Sequence, residues 1–209
     1  MKYLKMLGLA AVAAMALMAF VGAGTASATV LCSTNTSPCP AGQKWPTGTQ
    51  IEFSVSSGTS ANWEETAGNV LETCTGGKIK GEITNAGSST EAVKIKATEV
   101  SWTSCSVPTT TTGLGSLEIQ NISGTSNGTL TMGSGFKFTQ NTVLFGSCVY
   151  GSGTGLDMGT LTGGASGSAG IDVNTVLGGG EGICCPSAKW SEHFTLTGPS
   201  GTALYVKPS

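Results

Sequence analysis

The sequence predicts an all-β fold, a many-stranded antiparallel sandwich or barrel stapled by disulfides. Three observations predict it. Apolar residues recur with period two, turn-forming dipeptides separate these runs, and seven cysteines follow a leader that reads as an export signal. The 209 residues include 32 Gly, 24 Ser and 30 Thr, whereas charged residues make up only 11% and aromatics 6%. Soluble globular domains carry roughly 25% charged residues, so the composition argues against an ordinary cytoplasmic enzyme. It argues equally against disorder, because the chain is 39% hydrophobic with a net charge of −2. All ten basic residues are Lys. Without Arg the chain lacks the usual bidentate partner of phosphate and guanine, which disfavours nucleic acid as a partner.

Residues 1–28 read as a secretory signal peptide: Lys2 and Lys5 precede the apolar run Met6 to Val21, and Ala26-Ser27-Ala28 supplies a small-x-small cleavage site. The run is shorter than the roughly 20 residues a spanning helix needs. A mature chain of residues 29–209, with no membrane span, is expected to form a single all-β domain in a secreted or cell-surface setting. Ile51, Phe53 and Val55 alternate with polar residues as one strand. Ala61 to Leu71 is expected to be a hairpin, because Gly68-Asn69 interrupts any helical pattern. Ile79, Gly81 and Ile83 form the next strand, followed by Val93, Ile95 and Ala97. The apolar parity then switches at Val100 and Trp102, which predicts a bulge or bend near Thr98.

Pro108 to Gly115 reads as a polar connection, and Leu117 and Ile119 as a strand. Asn127-Gly128 reads as a two-residue hairpin turn with positive φ at both positions. Phe136 and Phe138 define a strand that a turn or bulge at Gln140-Asn141 separates from Val143. Gly151 to Gly170 reads as a long excursion, within which Leu156, Met158 and Leu161 allow a short strand. Trp190, Phe194 and Leu196 share one parity, and Leu204 and Val206 close the chain. The stretches Val100-x-Trp102-x-Ser104-Cys105 and Val143-x-Phe145-x-Ser147-Cys148 rhyme, which hints at an internal duplication.

In an oxidising compartment the cysteines read as disulfides. Local order favours Cys32 with Cys39, Cys74 with Cys105, and Cys148 with Cys185, leaving Cys184 as the free thiol. No metal site is expected, because no CxxC pair occurs and His193 is the only imidazole. No cofactor is expected either.

Catalytic patterns are sparse. Gly124-Thr125-Ser126-Asn127-Gly128 has the letters of a nucleophile elbow, and Asp157 or Asp172 followed by His193 completes a hydrolase order. The elbow needs a helix after the serine, whereas Thr129 to Met132 reads as a strand. Glu64-Glu65, or Glu72 with Glu192, are the carboxylates that a glycosidase-like reaction would use. Glu192 shares the parity of Trp190 and Phe194 and so points inward, where an edge strand can use a charge against aggregation. His193 points outward. Trp45, Trp63, Trp102 and Trp190 are either core or an aromatic platform for sugar, and Lys78, Lys80, Lys94 and Lys96 form a basic stripe if their strands pair.

The leader ending in AxA, the opening Cys32 to Cys39, the segment Thr73-Cys74-Thr75-Gly76, Cys185-Pro186 with Trp190, and the ending Leu204-Tyr205-Val206 carry a resemblance. As a set they resemble uncharacterised exported Gly/Ser/Thr-rich proteins of soil actinobacteria, a group without known activity. The resemblance implies a compartment and a host type. In composition the chain is also similar to small chromoprotein carriers of actinobacteria, which are disulfide-stapled sandwiches that hold a ligand. The expected function is an exported cell-envelope or extracellular structural and binding module without catalysis, its partner an envelope component or a small ligand. A secreted hydrolase using carboxylates and a carrier of a small apolar ligand are the alternatives.

Overall fold

The computed structural model describes residues 29–133, 135–142, 146–151, 156–163, 168–179 and 185–209. The expected export segment 1–28, Cys184, and the Val143 to Phe145 part of the rhyming stretches lie outside the described residues.

Alternation of apolar and polar side chains makes nearly every described segment a strand. In chain order they are β1 (Val30–Cys32), β2 (Gln50–Val55), β3 (Ala61–Glu65), β4 (Val70–Asn85) and β5 (Val93–Cys105). Next come β6 (Thr109–Leu114), β7 (Ser116–Asn121), β8 (Gly128–Met132), β9 (Phe136–Thr142) and β10 (Gly146–Gly151). The last are β11 (Leu156–Thr162), β12 (Gly170–Gly179), β13 (Ser187–Thr197) and β14 (Tyr205–Lys207). Every pairing is antiparallel.

Eight strands close on themselves in the order β12-β11-β8-β7-β5-β4-β2-β13, with β12 pairing back onto β13. Closure leaves no edge in this barrel. β2 and β3 share one position in the wall: β2 lies between 78–82 of β4 and 194–197 of β13, and β3 between 70–74 and 188–191 of the same two strands. A third sheet, β10-β9-β6, continues the neighbouring staves. β6 runs into β7 through Gly115, and β8 runs towards β9 across 133–135. Gly115 sits at φ +59°, and a Cβ there would lie 2.6 Å from the Phe136 nitrogen. Only glycine makes this break, because the backbones approach too closely for a side chain.

The molecule therefore has two halves. In one, the closed barrel is filled by aliphatic residues such as Ile51, Ile83, Val93, Ile95, Leu117, Ile119, Leu130, Leu161, Ile171 and Leu196. The β1–β14 ribbon contributes Leu31 and Val206 to this core. In the other half, β6-β9-β10 faces the extensions of β12, β13, β3, β4 and β5. Phe136, Phe138 and Tyr150 fill the space with Trp63 and Trp190. Among the described residues no ladder joins β5 to β6 or β10 to β12 here. The bridges run Cys148–Cys185, from β10 to the approach of β13, and Cys74–Cys105, between β4 and β5. Cys32–Cys39 closes the loop after β1.

The all-β reading and the period-two runs match this architecture. Thr98 is the extra residue of a bulge, since Lys80 faces Glu99 while the next residue, Gly81, faces Ala97. Ala61 to Leu71 forms the expected hairpin, with Gly68 at φ +92°. Other expectations need correction. Pro108 to Gly115 contains strand β6, which pairs with β9, whereas the short strand expected around Leu156, Met158 and Leu161 is present as β11. β9 runs straight through Gln140 and Asn141, which pair with Cys148 and Ser147. The β7–β8 turn places its positive φ at Gly124 (+77°) rather than at Asn127 or Gly128. The reason is buried Asn121, whose Nδ2 donates to the Thr125 and Asn127 carbonyls and closes a wider loop. The rhyming stretches occupy different places, since Cys105 ends β5 whereas Cys148 lies within β10.

Candidate functional site

The interior of the aromatic half is where the singled-out aromatic and acidic residues meet. Even-numbered residues of β13 point inward, which places Trp190 and Glu192 there, and Trp63 lies opposite Trp190 in the neighbouring strand. Trp63 and Trp190 stack at 5.9 Å between ring centroids, and Trp102 meets both edge-on at 5.1 and 6.0 Å. Phe138 lies 5.6 Å from Trp63 and 5.6 Å from Tyr150. Gly77 makes room for Trp102, its cross-strand partner: a Cβ there would lie 2.4 Å from the indole. Trp45 stands apart, against Gly198. Three tryptophans therefore meet, in the core rather than on an outer platform, because each sits on an inward position of a strand.

Two carboxyl groups enter this interior. Glu192 is 5% exposed, and its Oε2 accepts from Trp190 Nε1 at 3.1 Å while Oε1 has no hydrogen-bond partner. Burial raises its pKa from the usual carboxyl range to about 9, against the smaller opposing effect of the Trp190 bond. The edge-strand reason for its inward charge fails, because β13 is paired on both sides. It is held as a neutral acid. Glu72 is also fully buried, facing Trp63 across β3 and β4, and accepts from the Thr109 hydroxyl. Desolvation raises its pKa, with the Thr109 and Val107 hydrogen bonds opposing.

Polar atoms that the sequence did not single out surround these groups. Gln140 is fully buried with neither amide atom partnered, and the Tyr150 hydroxyl, the Thr111 hydroxyl and the indole nitrogens of Trp63 and Trp102 are buried without partners. The inward parity of Gln140 was legible from Phe136 and Phe138. Its significance was not, because a turn was expected there. Burial of an unpaired polar group costs roughly 1–3 kcal/mol, so their concentration in one half marks that half as the less self-sufficient interior.

Of the hydrolase-order candidates the structure brings Asp172 and His193 together but leaves Ser126 apart from them. His193 Nδ1 lies 2.5 Å from Asp172 Oδ1 on the outer face. Ser126 sits in the β7–β8 turn, where its hydroxyl pairs with Lys207 and not with an imidazole. Asp157 caps the Gly159 backbone, and Glu65 accepts from Asn69. Glu72 lies within 4.8 Å of the Cys74 and Cys105 sulfurs, but their disulfide removes the thiolates a metal would need. β4 and β5 do pair, yet no basic stripe results: Glu99 lies between Lys78 (3.4 Å) and Lys80 (2.8 Å), and Glu118 meets Lys94 at 3.5 Å. Among the described residues no helix is long and apolar enough to cross a membrane. Compared with known proteins, the chain matches no family model, no curated sequence and no solved structure.

Proposed function

We propose that this chain is an exported cell-envelope or extracellular structural and binding module whose interior performs no catalysis. The observation that carries this reading is the burial of the two inward carboxyl groups. A glycosidase-like reaction needs one ionised carboxylate beside one acid, both in reach of substrate. Glu192 is a buried neutral acid at pH 7, Glu72 is fully buried with its pKa also raised, and aromatic rings cover the space between the sheets. Three disulfides and the small-x-small leader support export. Expression in an actinobacterial host, followed by fractionation and N-terminal sequencing, tests the reading. The expected product begins at Thr29, is recovered outside the cytoplasm, is retained by isolated envelope, and hydrolyses no polysaccharide. Hydrolysis that disappears in Glu192→Gln would overturn it.

A second reading, a carrier of a small ligand, is favoured by the unpartnered polar atoms among the aromatic rings. Native mass spectrometry of the exported protein separates the two. An added small-molecule mass released on unfolding supports the carrier, and the bare chain mass supports the structural module.

A further inference from the structure

The β7–β8 turn and the C-terminal strand bring a serine and a lysine together at the end of the molecule away from the aromatic interior. Lys207 is 2% exposed, yet no carboxylate pairs with it among the described residues. Its Nζ instead reaches two neutral oxygens, Asn35 Oδ1 and Ser126 Oγ, the latter at 3.2 Å. The Tyr205 ring lies beneath it at 5.8 Å. A buried ammonium without a counter-ion is disfavoured relative to the neutral amine, and burial lowers the Lys207 pKa accordingly. Once deprotonated, an amine in hydrogen-bond contact with a hydroxyl is a general base for it.

Ser126 is held for that contact while remaining half-exposed to solvent. Asn121 clamps the flanking Thr125 and Asn127 carbonyls at 3.0 and 2.9 Å, and the Thr125 hydroxyl bonds the Ile122 carbonyl at 2.7 Å. Gly163 packs on the Ser126 carbonyl so closely that a Cβ would fall 1.3 Å from its oxygen. The serine therefore stands on a braced loop, with its base behind it and solvent in front.

We propose that Ser126 is an acyl-acceptor hydroxyl, activated by Lys207, which takes an acyl group from an activated ester. Ser126 Oγ attacks the ester carbonyl carbon, forming a new C–O bond, and its proton passes to Lys207 Nζ. The bond to the leaving alkoxide or phenoxide breaks, and that group departs with the electron pair. Lys207 then releases its proton to water. The product is an O-acyl serine, a covalent attachment that a module of the envelope can use without catalytic turnover.

The test exposes the folded, oxidised protein to p-nitrophenyl acetate and follows acetylation by intact mass and peptide mapping. The expected result is one acetyl group on Ser126, none at that site in Ser126→Ala, and at least tenfold slower labelling in Lys207→Arg, which keeps a long basic side chain but stays protonated and cannot serve as base. Asn35→Asp, on an exposed loop, places a carboxylate beside Lys207 and is expected to slow labelling similarly by holding the proton on the amine. It reports even if position 207 proves intolerant of change. Acetylation confined to lysines, or Ser126 labelling that Asn35→Asp and Lys207→Arg leave unchanged, would overturn the proposal. Either result leaves the module reading intact, because that reading rests on the opposite end of the molecule.

Discussion

In the aliphatic half all eight staves are hydrogen-bonded on both sides, whereas in the aromatic half the ladder of described residues stops at β5 and at β10. The first half contains its own closure. The second is held by ring packing, by the Cys148–Cys185 bridge and by the chain turn from β5 into β6. The contrast extends to polar groups. The polar residues buried at the barrel end, Thr29, Asn121 and Lys207, all have hydrogen-bond partners, while the aromatic half buries two carboxyl groups, an unpaired Gln140 and several unpaired donors. A closed barrel thus supplies the rigid base, and the half built on it is free to depart from an ideal core. Such departures are where function is expected in a chain whose local signals are otherwise consistent.

The largest expected effect tests the aromatic packing. Trp190→Ala removes the ring shared by Trp63, Trp102, Phe136 and Phe138 and deletes the one donor to Glu192. We expect a loss of about 3–5 kcal/mol in denaturant unfolding. Next come the disulfides. Closing a longer loop restrains the unfolded chain more, so replacing Cys148 and Cys185 (separation 37) with Ala is expected to cost about 4 kcal/mol. Replacing Cys32 and Cys39 (separation 7) is expected to cost about 2 kcal/mol. Equal losses in thermal and urea unfolding would erase the distinction between the halves.

The third effect is smaller at neutral pH and carries a sign. The folded pKa of Glu192 is raised to about 9 from an ordinary value of 4.5, so the folded state binds the extra proton between these values. Its contribution is fully present below pH 4.5 and is lost as pH rises through 9. Stability should therefore fall from pH 5 to pH 9. Glu192→Gln mimics the neutral acid, and is expected to flatten this dependence and to raise stability at pH 8 relative to the parent. A variant as pH-sensitive as the parent in urea titrations would show that Glu192 is not the source.

The barrel half was legible in the sequence because its strands alternate cleanly: Ile51 and Phe53, Val93 and Ile95, Leu117 and Ile119 each mark an inward face. Even the Thr98 bulge was announced by a change of parity. β6 was hidden because Thr109 to Thr112 present the same side chain inward and outward, so no alternation shows. The β7–β8 turn was misplaced because a local Asn-Gly preference yielded to Asn121, a buried side chain that organises a longer loop. The inward position of Glu192 was legible from parity. Its protonation was not, because that depends on rings contributed by β3, β9 and β13 together. Lys207 gave no sign of burial, since it follows buried Val206 and breaks alternation.

Hydrogen exchange of the oxidised and reduced protein, read strand by strand, tests the two-half account most directly. After reduction, amides of β6, β9 and β10 are expected to lose protection while those of β7, β8 and β11, the barrel staves next to them in the chain, keep it. Uniform loss across all six strands, or protection of β6, β9 and β10 unchanged by reduction, would contradict it.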